Sequence, residues 1–497
     1  MLQKVKPAVQ LKDMGLYRQQ CYIDGQWVDA DGGRTFEVRN PADQTVAGII
    51  PDAGPAETRR AIEAADRAFK TWSRTPAKDR GVILKRIMDL MAQRRDEIAR
   101  LVVLENGKPY EEAKGEVGFS MGYFGWFAEE ARRTYGDVVP SPFTNKRLWV
   151  LQQPVGVVGA ITPWNFPANM ITRKIAPAMA AGCTVVLKPA SATPMTALAI
   201  ARCAHDAGLP PGVLNIVTAA KSRPIGDELM HNPLVKKIGF TGSTDVGKTL
   251  MEQAAKQIKR ISFELGGNAP FIVFEDADFD KALEGAVAMK FLRVGGQSCI
   301  CANRIYVQET IADRFIPAFV ERTVALKVGP GFELGMQVGP LINEEARKSM
   351  RHFVEDAVSR GARVLTGGKS STRPPLDKGF FFEPTVLVDV KDNMPVCVEE
   401  IFGPIAPLLT FKTEEEVIRR ANETTYGLAS YFYSRDYARI VRVAEGLEAG
   451  LVGVNDAAGY THEIPFGGFK ESGLGREGGR EGIEEYMEVK SLVVNLG

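Results

Sequence analysis

The stretch Val155-Gly156-Val157-Val158-Gly159-Ala160-Ile161 is apolar throughout, which predicts a strand that is buried on both faces. The segments that follow it predict three more strands and two helices, at 183–187, 213–217, 237–240, 194–207 and 245–258. Short apolar strands that alternate with helices indicate a parallel sheet covered by helices on both faces. The predicted fold class is therefore α/β, with the outline of a nucleotide-binding domain.

A second α/β unit is predicted after Glu264. Its first strands and helices alternate at 270–274, 279–291, 304–308 and 311–326, and similar alternation continues to about residue 455. Two strand-like segments, 135–153 and 486–495, stand apart from both units and predict a small additional sheet. Because the exposed edges of such a sheet suit subunit association, we expect a homo-oligomer, either a dimer or a tetramer.

Length and composition argue against several classes of protein. The 497 residues exceed what one hydrophobic core supports, and a net charge of +1 gives no field to attract nucleic acid or an anionic membrane. No apolar run is long enough to span a bilayer, and the N-terminus does not resemble a secretory signal. The six cysteines are scattered rather than paired as zinc ligands. We expect a cytoplasmic protein with free thiols and no metal, with a cleaved organellar presequence as the alternative.

Cys299 is the candidate nucleophile. Most cysteines are small buried apolar residues, but this one follows Gly295-Gly296-Gln297-Ser298, and a thiol after a glycine-rich turn is accessible. Glu264, in Phe263-Glu264-Leu265-Gly266-Gly267, is predicted at a strand end among apolar neighbours. Burial there would raise the pKa of its carboxyl group toward the range of a general base. Such a pair is what covalent catalysis through a thioester requires.

Asn165 lies in Thr162-Pro163-Trp164-Asn165-Phe166-Pro167, just after the strand predicted at 155–161. An asparagine in a turn is ordinary, but two prolines and two aromatic residues stiffen this segment. An amide donor held beside a thiolate forms half of an oxyanion hole, and the backbone N–H of Cys299 would supply the other half.

The loop Phe240-Thr241-Gly242-Ser243-Thr244-Asp245-Val246-Gly247 follows a predicted strand and opens a predicted helix. Its free N–H groups therefore suit a pyrophosphate. The glycine spacing is not the G-x-G-x-x-G of dinucleotide-binding loops, so a plain strand–helix turn is an equally good interpretation.

Six motifs occur in order along the chain: Pro163-Trp164-Asn165-Phe166-Pro167, Phe240-Thr241-Gly242-Ser243, Glu264-Leu265-Gly266-Gly267, Gly296-Gln297-Ser298-Cys299, Glu399-Glu400-Ile401-Phe402-Gly403-Pro404 and Pro465-Phe466-Gly467-Gly468. With them the chain resembles the aldehyde dehydrogenase superfamily along essentially its whole length. A closer resemblance, to the bacterial succinate-semialdehyde dehydrogenase group, is carried by Met170-Ile171-Thr172-Arg173-Lys174, Cys299-Ile300-Cys301-Ala302-Asn303-Arg304 and Ser472-Gly473-Leu474-Gly475-Arg476-Glu477-Gly478.

The resemblance implies three parts of the fold. A Rossmann-type domain that binds NAD or NADP would comprise 1–134 and 154–263, and an α/β catalytic domain would comprise 264–476. A small β oligomerisation element would comprise 135–153 and 477–497.

The resemblance also implies a reaction. Cys299 attacks the aldehyde, Asn165 and the Cys299 N–H hold the oxyanion, a hydride leaves for the nicotinamide, and Glu264 activates water to hydrolyse the thioester. Lys174 and Glu477 are implied as supporting charges. The implied cofactor-binding residues are Thr162, Trp164, Lys188, Ser191, Lys221, Gly242, Ser243, Gly247, Leu265, Glu400 and Phe402.

Ser191 bears on the choice between NAD and NADP. Relatives restricted to NAD often have a glutamate at this position, and that carboxylate binds the ribose 2′-hydroxyl and repels a 2′-phosphate. Ser191 does not repel the phosphate, and Lys188, with Lys221 as a second cation, would attract it. We expect NADP to be accepted along with NAD.

Arg173 and Arg293 match arginines that bind the substrate carboxylate in the succinate-semialdehyde group. Any arginine is more commonly part of a surface ion pair, but one of these is eight residues past Asn165 and the other is six before Cys299. Two guanidinium groups near the nucleophile suit an anionic head group. The predicted substrate is a small anionic aldehyde, with succinate semialdehyde first by resemblance.

Two segments depart from the pattern of that group. Residues 291–297 carry one extra residue, and 455–463 place Tyr460 where a small serine contacts the carboxylate. His462 adds a further donor, and Phe466 is also expected to contact the substrate. A wider donor set suits a larger or tetrahedral anion, so sulfolactaldehyde and longer semialdehydes such as glutarate semialdehyde are the alternatives. The other interpretation is that Tyr460 points away from an ordinary pocket.

Cys301 is two residues from the candidate nucleophile. A bridge between the two thiols would close a very small, strained loop that is easily reduced, which makes reversible oxidative inactivation a hypothesis. A packing role for Cys301 is an equally good interpretation. Two rivals to the dehydrogenase also stay open: a non-catalytic protein of the same fold, and an esterase that needs no oxidised cofactor.

Overall fold

The computed structural model describes residues 11–457 and 460–497. Residues 1–10 of the predicted cofactor domain, and Ala458 and Gly459 of the predicted substrate loop, lie outside the described residues. Two large sheets of mainly parallel strands, each packed against helices, confirm the predicted α/β class. The helices are α1 Pro55–Trp72, α2 Ala77–Gln93, α3 Arg95–Asn106, α4 Tyr110–Glu130, α5 Asn169–Ala181, α6 Pro194–Asp206, α7 Arg223–His231, α8 Thr244–Ala255, α9 Phe279–Phe291, α10 Glu309–Val324, α11 Glu344–Ser359, α12 Pro395–Val398, α13 Glu414–Asn422, α14 Tyr437–Gly446 and α15 Glu481–Glu484.

The first sheet has eight strands in the order β2-β1-β9-β8-β7-β10-β11-β21. These are β1 Cys21–Ile23, β2 Gln26–Val28, β7 Val157–Ile161, β8 Thr184–Lys188, β9 Leu214–Ile216, β10 Val235–Thr241, β11 Arg260–Glu264 and β21 Gly473–Leu474. The five central strands β7 to β11 are parallel. The apolar stretch at 155–161 forms β7, and every residue from Val157 to Ala160 is buried, as an apolar run predicts.

The second sheet has seven strands in the order β14-β15-β16-β13-β12-β18-β19. These are β12 Ala269–Val273, β13 Ala302–Gln308, β14 Arg363–Thr366, β15 Thr385–Val388, β16 Ile405–Phe411, β18 Ala429–Tyr433 and β19 Leu451–Val454. Only β14 runs antiparallel to its neighbour in this sheet. The structure also has two small ribbons, β3 Thr35–Arg39 with β4 Val46–Pro51, and β17 Tyr426–Gly427 with β20 Phe469–Lys470.

The predicted additional sheet is confirmed. β22, at Met487–Asn495, pairs antiparallel with β6, at Lys146–Pro154, and β5, at Asp137–Val139, adds the third strand. The boundaries of the three predicted parts stay predictions. The strand β21 pairs with β11, so the chain returns to the first sheet near residue 473.

The parallel strands place their carboxyl ends along one edge of the first sheet. β7 ends just before Thr162, β8 ends at Lys188, β10 ends just before Gly242, and β11 ends at Glu264. The predicted site residues therefore cluster because the sheet collects strand ends that are far apart in the sequence. Among the helices of the described residues, none is long and apolar enough to cross a membrane.

Candidate active site

Cys299 lies in the turn between α9 and β13. Gly295 and Gly296 allow this turn, since their φ angles are +61° and +81°, where a side chain would be strained. The turn approaches the loop after β11 so closely that a Cβ at Gly267 would lie 2.0 Å from the Cys299 carbonyl oxygen. Cys299 is thereby held next to the strand end that carries Glu264.

Asn165 is buried beside this turn. Its Nδ2 donates to the carbonyl of Gln297 at 3.1 Å, and its Oδ1 accepts from the N–H of Phe166. A side-chain amide has two N–H donors, so one remains after the Gln297 contact. The geometry suits the predicted oxyanion donor, whose role stays a prediction.

Two residues that the sequence did not single out hold the Asn165 segment. Lys108 Nζ donates to the Asn165 carbonyl at 2.8 Å and to Glu116 Oε2, and it lies 4.1 Å from the centre of the Phe166 ring. Glu116 Oε1 accepts from the N–H groups of Ala168 and Asn169. Lys108 and Glu116 are both buried. The only sequence signal was a lysine and a glutamate eight residues apart, which without the fold indicates a solvated helix face.

Glu264 is buried at the end of β11, and its Oε2 has no hydrogen-bond partner. Burial raises the pKa of this carboxyl group well above its usual range, and the charge of Glu477 acts in the same direction. The charges of Arg173 and Lys174 oppose that rise. A carboxyl group in this environment is suited to accept a proton near neutral pH.

Glu477 makes a buried ionic contact with two consecutive residues of α5. Its carboxylate pairs with the guanidinium of Arg173 at 2.5 Å and with the ammonium of Lys174, which also donates to Thr241 Oγ1. Arg173 stacks on the Phe466 ring at 4.0 Å. The charge of Arg173 is therefore partly neutralised by Glu477. The sequence, which groups Arg173 with Arg293 as a substrate ligand, does not predict this pairing.

The Cys299 thiol is in a weakly solvated, charged environment. Desolvation raises the pKa of Cys299 to about 12, and the carboxylates of Glu400 and Glu264 add to this rise. Arg173 and Arg293 act in the opposite direction. The sulfur is therefore protonated in the protein as described, so attack on a carbonyl requires its proton to leave.

A cleft of about 770 Å³ runs along the carboxyl edge of the first sheet. Of the predicted cofactor residues, its walls contain Thr162, Trp164, Lys188, Ser191, Gly242 and Ser243. Thr162 Oγ1 is buried without a partner, and the Ser243 side chain makes no capping bond at the start of α8. These free polar groups fit a dinucleotide with a pyrophosphate at the helix terminus.

Four predicted cofactor residues lie around this cleft rather than in its walls. Gly247 packs tightly, since a Cβ there would lie 2.5 Å from Leu265 Cδ2. Glu400 accepts from the Gly267 N–H at 3.0 Å, and burial raises its pKa to about 7. Phe402 meets the Trp164 ring edge-on at 5.5 Å.

At the far end of the cleft, Arg223 stands where Lys221 was predicted. Lys188 Nζ donates to Ser222 Oγ at 2.6 Å and to Ser191 Oγ at 3.3 Å, and burial lowers the pKa of Lys188 to about 8. Lys221 is exposed and is not among the described residues that line the cleft, whereas Arg223 lines it. Residue 221 lies just before α7, and 223 is its first residue, so the helix start directs Arg223 to the cleft instead.

A separate cavity of about 310 Å³ lies beside Phe166, on the Arg293 side of the site. Arg293 Nη2 donates to the Tyr460 hydroxyl at 3.1 Å, so Tyr460 faces the cavity rather than pointing away. Phe466 contacts the Tyr460 ring at 5.6 Å. The cavity is lined by Glu112, Gly115, Glu116, Phe119, Phe166, Asn169, Leu292, Arg293 and Tyr460.

His462 is not among the described residues that line this cavity, contrary to its predicted place at the substrate. Its ring stacks on Phe119 at 4.2 Å, and its Nε2 bonds the Phe119 carbonyl at 2.6 Å. A Cβ at Gly122 would lie 2.4 Å from the ring, so His462 fills a space that only glycine leaves open. The His462 ring nitrogen that was expected to reach the substrate therefore bonds a backbone carbonyl of α4 instead.

Cys301 is buried, with its Sγ 3.6 Å from the Lys290 carbonyl, and the thiols of Cys299 and Cys301 are both free. The reversible bridge between them stays a prediction. In the part of the chain that is described, no cluster of three His, Cys, Asp or Glu residues is placed to hold a metal ion.

Comparisons with known proteins agree with this geometry. The family model described as the aldehyde dehydrogenase family matches residues 27–492. The chain is 54% identical to glutarate-semialdehyde dehydrogenase of Pseudomonas putida and 52% identical to the NADP⁺-dependent succinate-semialdehyde dehydrogenase of Escherichia coli, each over 98% of this chain and 100% of the relative. It is 53% identical to 3-sulfolactaldehyde dehydrogenase of Pseudomonas putida, over 97% and 98% of the two chains.

A solved structure of succinate-semialdehyde dehydrogenase from Burkholderia pseudomallei is similar with a TM-score of 0.95 and 50% identity, over 98% of this chain and 100% of the other. The chain belongs to the aldehyde dehydrogenase family. It is therefore an enzyme, an oxidoreductase that acts on aldehydes with NAD or NADP, and the predicted resemblance is confirmed.

Removal of the proposed base tests Glu264. We expect Glu264→Gln to lower kcat by about 10² to 10⁴-fold, because the amide cannot take a proton from water. Rapid-mixing measurements should then show one equivalent of reduced cofactor formed quickly, followed by slow turnover. Glu252→Gln, on the exposed face of α8, is the control. A kcat within twofold of the wild-type value would show that Glu264 is not the base.

Lys108 is predicted to support the Asn165 segment. Lys108→Met should destabilise the fold by about 3 kcal/mol, because Glu116 is left as an unpaired buried charge, and should lower kcat, because the Asn165 carbonyl loses its donor. In the double variant Lys108→Met with Glu116→Gln, urea unfolding should show stability largely restored while kcat stays low. If kcat recovers together with stability, Lys108 acts only on folding.

Proposed function

We propose that the protein oxidises a short anionic aldehyde to the carboxylate, with succinate semialdehyde as the first candidate. The observation that carries this proposal is Arg293, which lines a partly enclosed cavity and forms no ion pair with any described carboxylate. A guanidinium group without a counter-ion favours an anionic ligand. The three relatives named above are called dehydrogenases of glutarate semialdehyde, succinate semialdehyde and 3-sulfolactaldehyde.

The proposed reaction assigns one task to each residue. The Cys299 thiol gives its proton to solvent water, and the sulfur attacks the aldehyde carbon. The Asn165 amide with the Cys299 N–H stabilises the oxyanion. The nicotinamide, when bound, accepts the hydride from that carbon. Glu264 then takes a proton from water, which attacks the thioester and releases the acid. Lys174 and Glu477 stay behind this centre and set its charge balance.

NADP is proposed as an accepted cofactor beside NAD. Ser191 places no carboxylate beside Lys188, and Lys188 adds positive charge there. Arg223 lines the same cleft and pairs with Asp227 at 3.7 Å. A carboxylate at this position would repel a 2′-phosphate, whereas this group of side chains attracts one.

We also propose a cytoplasmic homo-oligomer, a dimer or a tetramer, joined through the three-stranded sheet. This sheet exposes large apolar side chains on its long strands, namely Trp149, Leu151, Val489 and Val493. Exposed apolar side chains concentrated on one small sheet suit an interface between subunits.

Sulfolactaldehyde and glutarate semialdehyde are the competing substrates. The Arg293–Tyr460 contact favours them, because it sets two donors at one wall of the cavity where a larger anion can use both. The two donors distinguish this cavity from one that offers a single contact to a carboxylate.

A substrate panel tests the proposal. We expect kcat/KM for at least one of succinate semialdehyde, glutarate semialdehyde and sulfolactaldehyde to exceed that for an uncharged aldehyde of equal length by about 10²-fold, since a paired buried charge is worth about 3 kcal/mol. The assay measures reduced cofactor with NAD and NADP separately. Equal, poor rates on all three anions would contradict the proposal.

Ser191→Glu tests the cofactor assignment. The NADP/NAD ratio of kcat/KM should fall at least about tenfold, because the new carboxylate repels the 2′-phosphate and pairs with Lys188. An unchanged ratio would contradict the assignment. As a matched pair, Arg223→Ala should raise KM for NADP several-fold, and Lys221→Ala should leave it nearly unchanged.

A further inference from the structure

The substrate cavity contains a carboxyl group that the proposed reaction does not use. Glu112, in the first turn of α4, accepts the N–H of Val294 with Oε1 at 2.7 Å. Its Oε2 is buried and has no hydrogen-bond partner among the described residues, although the side chain lines the cavity. An unpartnered buried carboxyl oxygen is costly unless a proton or a ligand satisfies it.

Arg293 shows the complementary feature on the same wall. Its Nη2 is used by Tyr460, but its Nε is buried without a partner. The bond from Val294 to Glu112 brings the carboxyl group to the same part of the cavity lining as Arg293, close enough for the two charges to interact, although the two side chains form no ion pair. Val294 has a φ of +50°, which is strained for a β-branched residue, so the Glu112 contact supports a turn that does not form easily.

Among the residues that the structure describes, no other cation forms an ion pair with Glu112. Lys108, which lies just before α4, directs its bonds to Glu116 and to the Asn165 carbonyl. Glu116 is fully used, by Lys108 on one oxygen and by two backbone N–H groups on the other. The charged groups that act on Glu112 are thus Lys108, Glu116 and Arg293, and the Tyr460 hydroxyl belongs to the lining of the same cavity.

We propose that Glu112 is a specificity residue. It admits the anionic end of the substrate only while its own side chain is protonated, as the carboxylic acid. As the acid, its O–H donates to the anion beside Arg293 Nε and the Tyr460 hydroxyl, which gives three donors to one head group. As the carboxylate, it repels the anion from the cavity. This inference rests on the proposed function, since it assumes an anionic substrate.

Burial supports this assignment, because it raises the pKa of Glu112, with the charge of Glu116 adding to the rise and those of Lys108 and Arg293 opposing it. Below that pKa the acid form dominates and KM for an anionic aldehyde is constant. Above it, each pH unit removes tenfold of the binding form, so KM rises by up to about tenfold per unit. The carboxylate of the substrate stays ionised throughout, since such groups titrate near pH 4.

The experiment compares succinate semialdehyde with butanal, an uncharged aldehyde of the same chain length, from pH 6 to pH 9. The readout is the ratio of kcat/KM for the two aldehydes, which cancels the titration of Cys299, Glu264 and the cofactor site. We expect the wild-type ratio to fall as the pH rises through the pKa of Glu112, by up to about tenfold for each pH unit above it. In Glu112→Gln the ratio should change less than about threefold, because the amide donates at every pH and still accepts from Val294.

The controls separate this inference from the proposed function. Glu111→Gln, at the exposed neighbouring position, should reproduce the wild-type profile. A ratio that falls equally in wild type and Glu112→Gln would overturn the role of Glu112. A wild-type ratio near one at every pH would instead overturn the anionic substrate. If Glu112→Gln does not fold, the wild-type series still tests the role of Glu112. A ratio that is high and does not change with pH would contradict a specificity residue that titrates.

Discussion

The contact on which the site depends most is the buried carboxylate of Glu477 between Arg173 and Lys174. Removing one partner of a buried ion pair is strongly destabilising, because the other charge is left without compensation. The two cations are consecutive in α5, and Glu477 comes from the C-terminal segment about three hundred residues later. The contact therefore fixes that segment against the helix. The same cations oppose the rise in the pKa of Glu264, so folding and the proposed chemistry share one set of charges.

The support of Asn165 follows the same physical rule. Lys108 and Glu116 are both removed from water, and this is tolerable because each also bonds backbone groups of the 165–169 segment. The buried Lys108–Glu116 pair holds the 165–169 turn rigid, and with it the side-chain amide of Asn165. A preorganised donor of this kind stabilises developing charge without having to reorient, which is where an oxyanion hole derives its effect.

The cavity beside Arg293 shows how specificity arises from distant pieces of chain. Its walls come from α4, from the start of α5, from the turn before Cys299 and from the loop that carries Tyr460. Arg173 and Arg293 look alike in the sequence, yet only Arg173 has a carboxylate partner. This difference between the two arginines is a consequence of packing that no local pattern reports.

Local sequence patterns were enough to predict the α/β class, the extra sheet and the family, and they located the strands and helices predicted between 155 and 326 to within a few residues. These follow from local signals, since hydrophobic periodicity, glycine-rich turns and ordered motifs depend on neighbours along the chain. Cys299, Glu264 and Asn165 were also proposed on local grounds, because each lies in a distinctive turn or at a strand end.

The fold determines which charges meet. It assigned Glu477 to Arg173, introduced Lys108, Glu116 and Glu112, replaced Lys221 by Arg223 at the cleft, and bound His462 to the Phe119 carbonyl instead of the cavity. The physical reason is that burial and pairing are set by approach in space between segments tens to hundreds of residues apart. A charged side chain in a sequence has no partner until the fold supplies one, and its pKa and role follow from that partner.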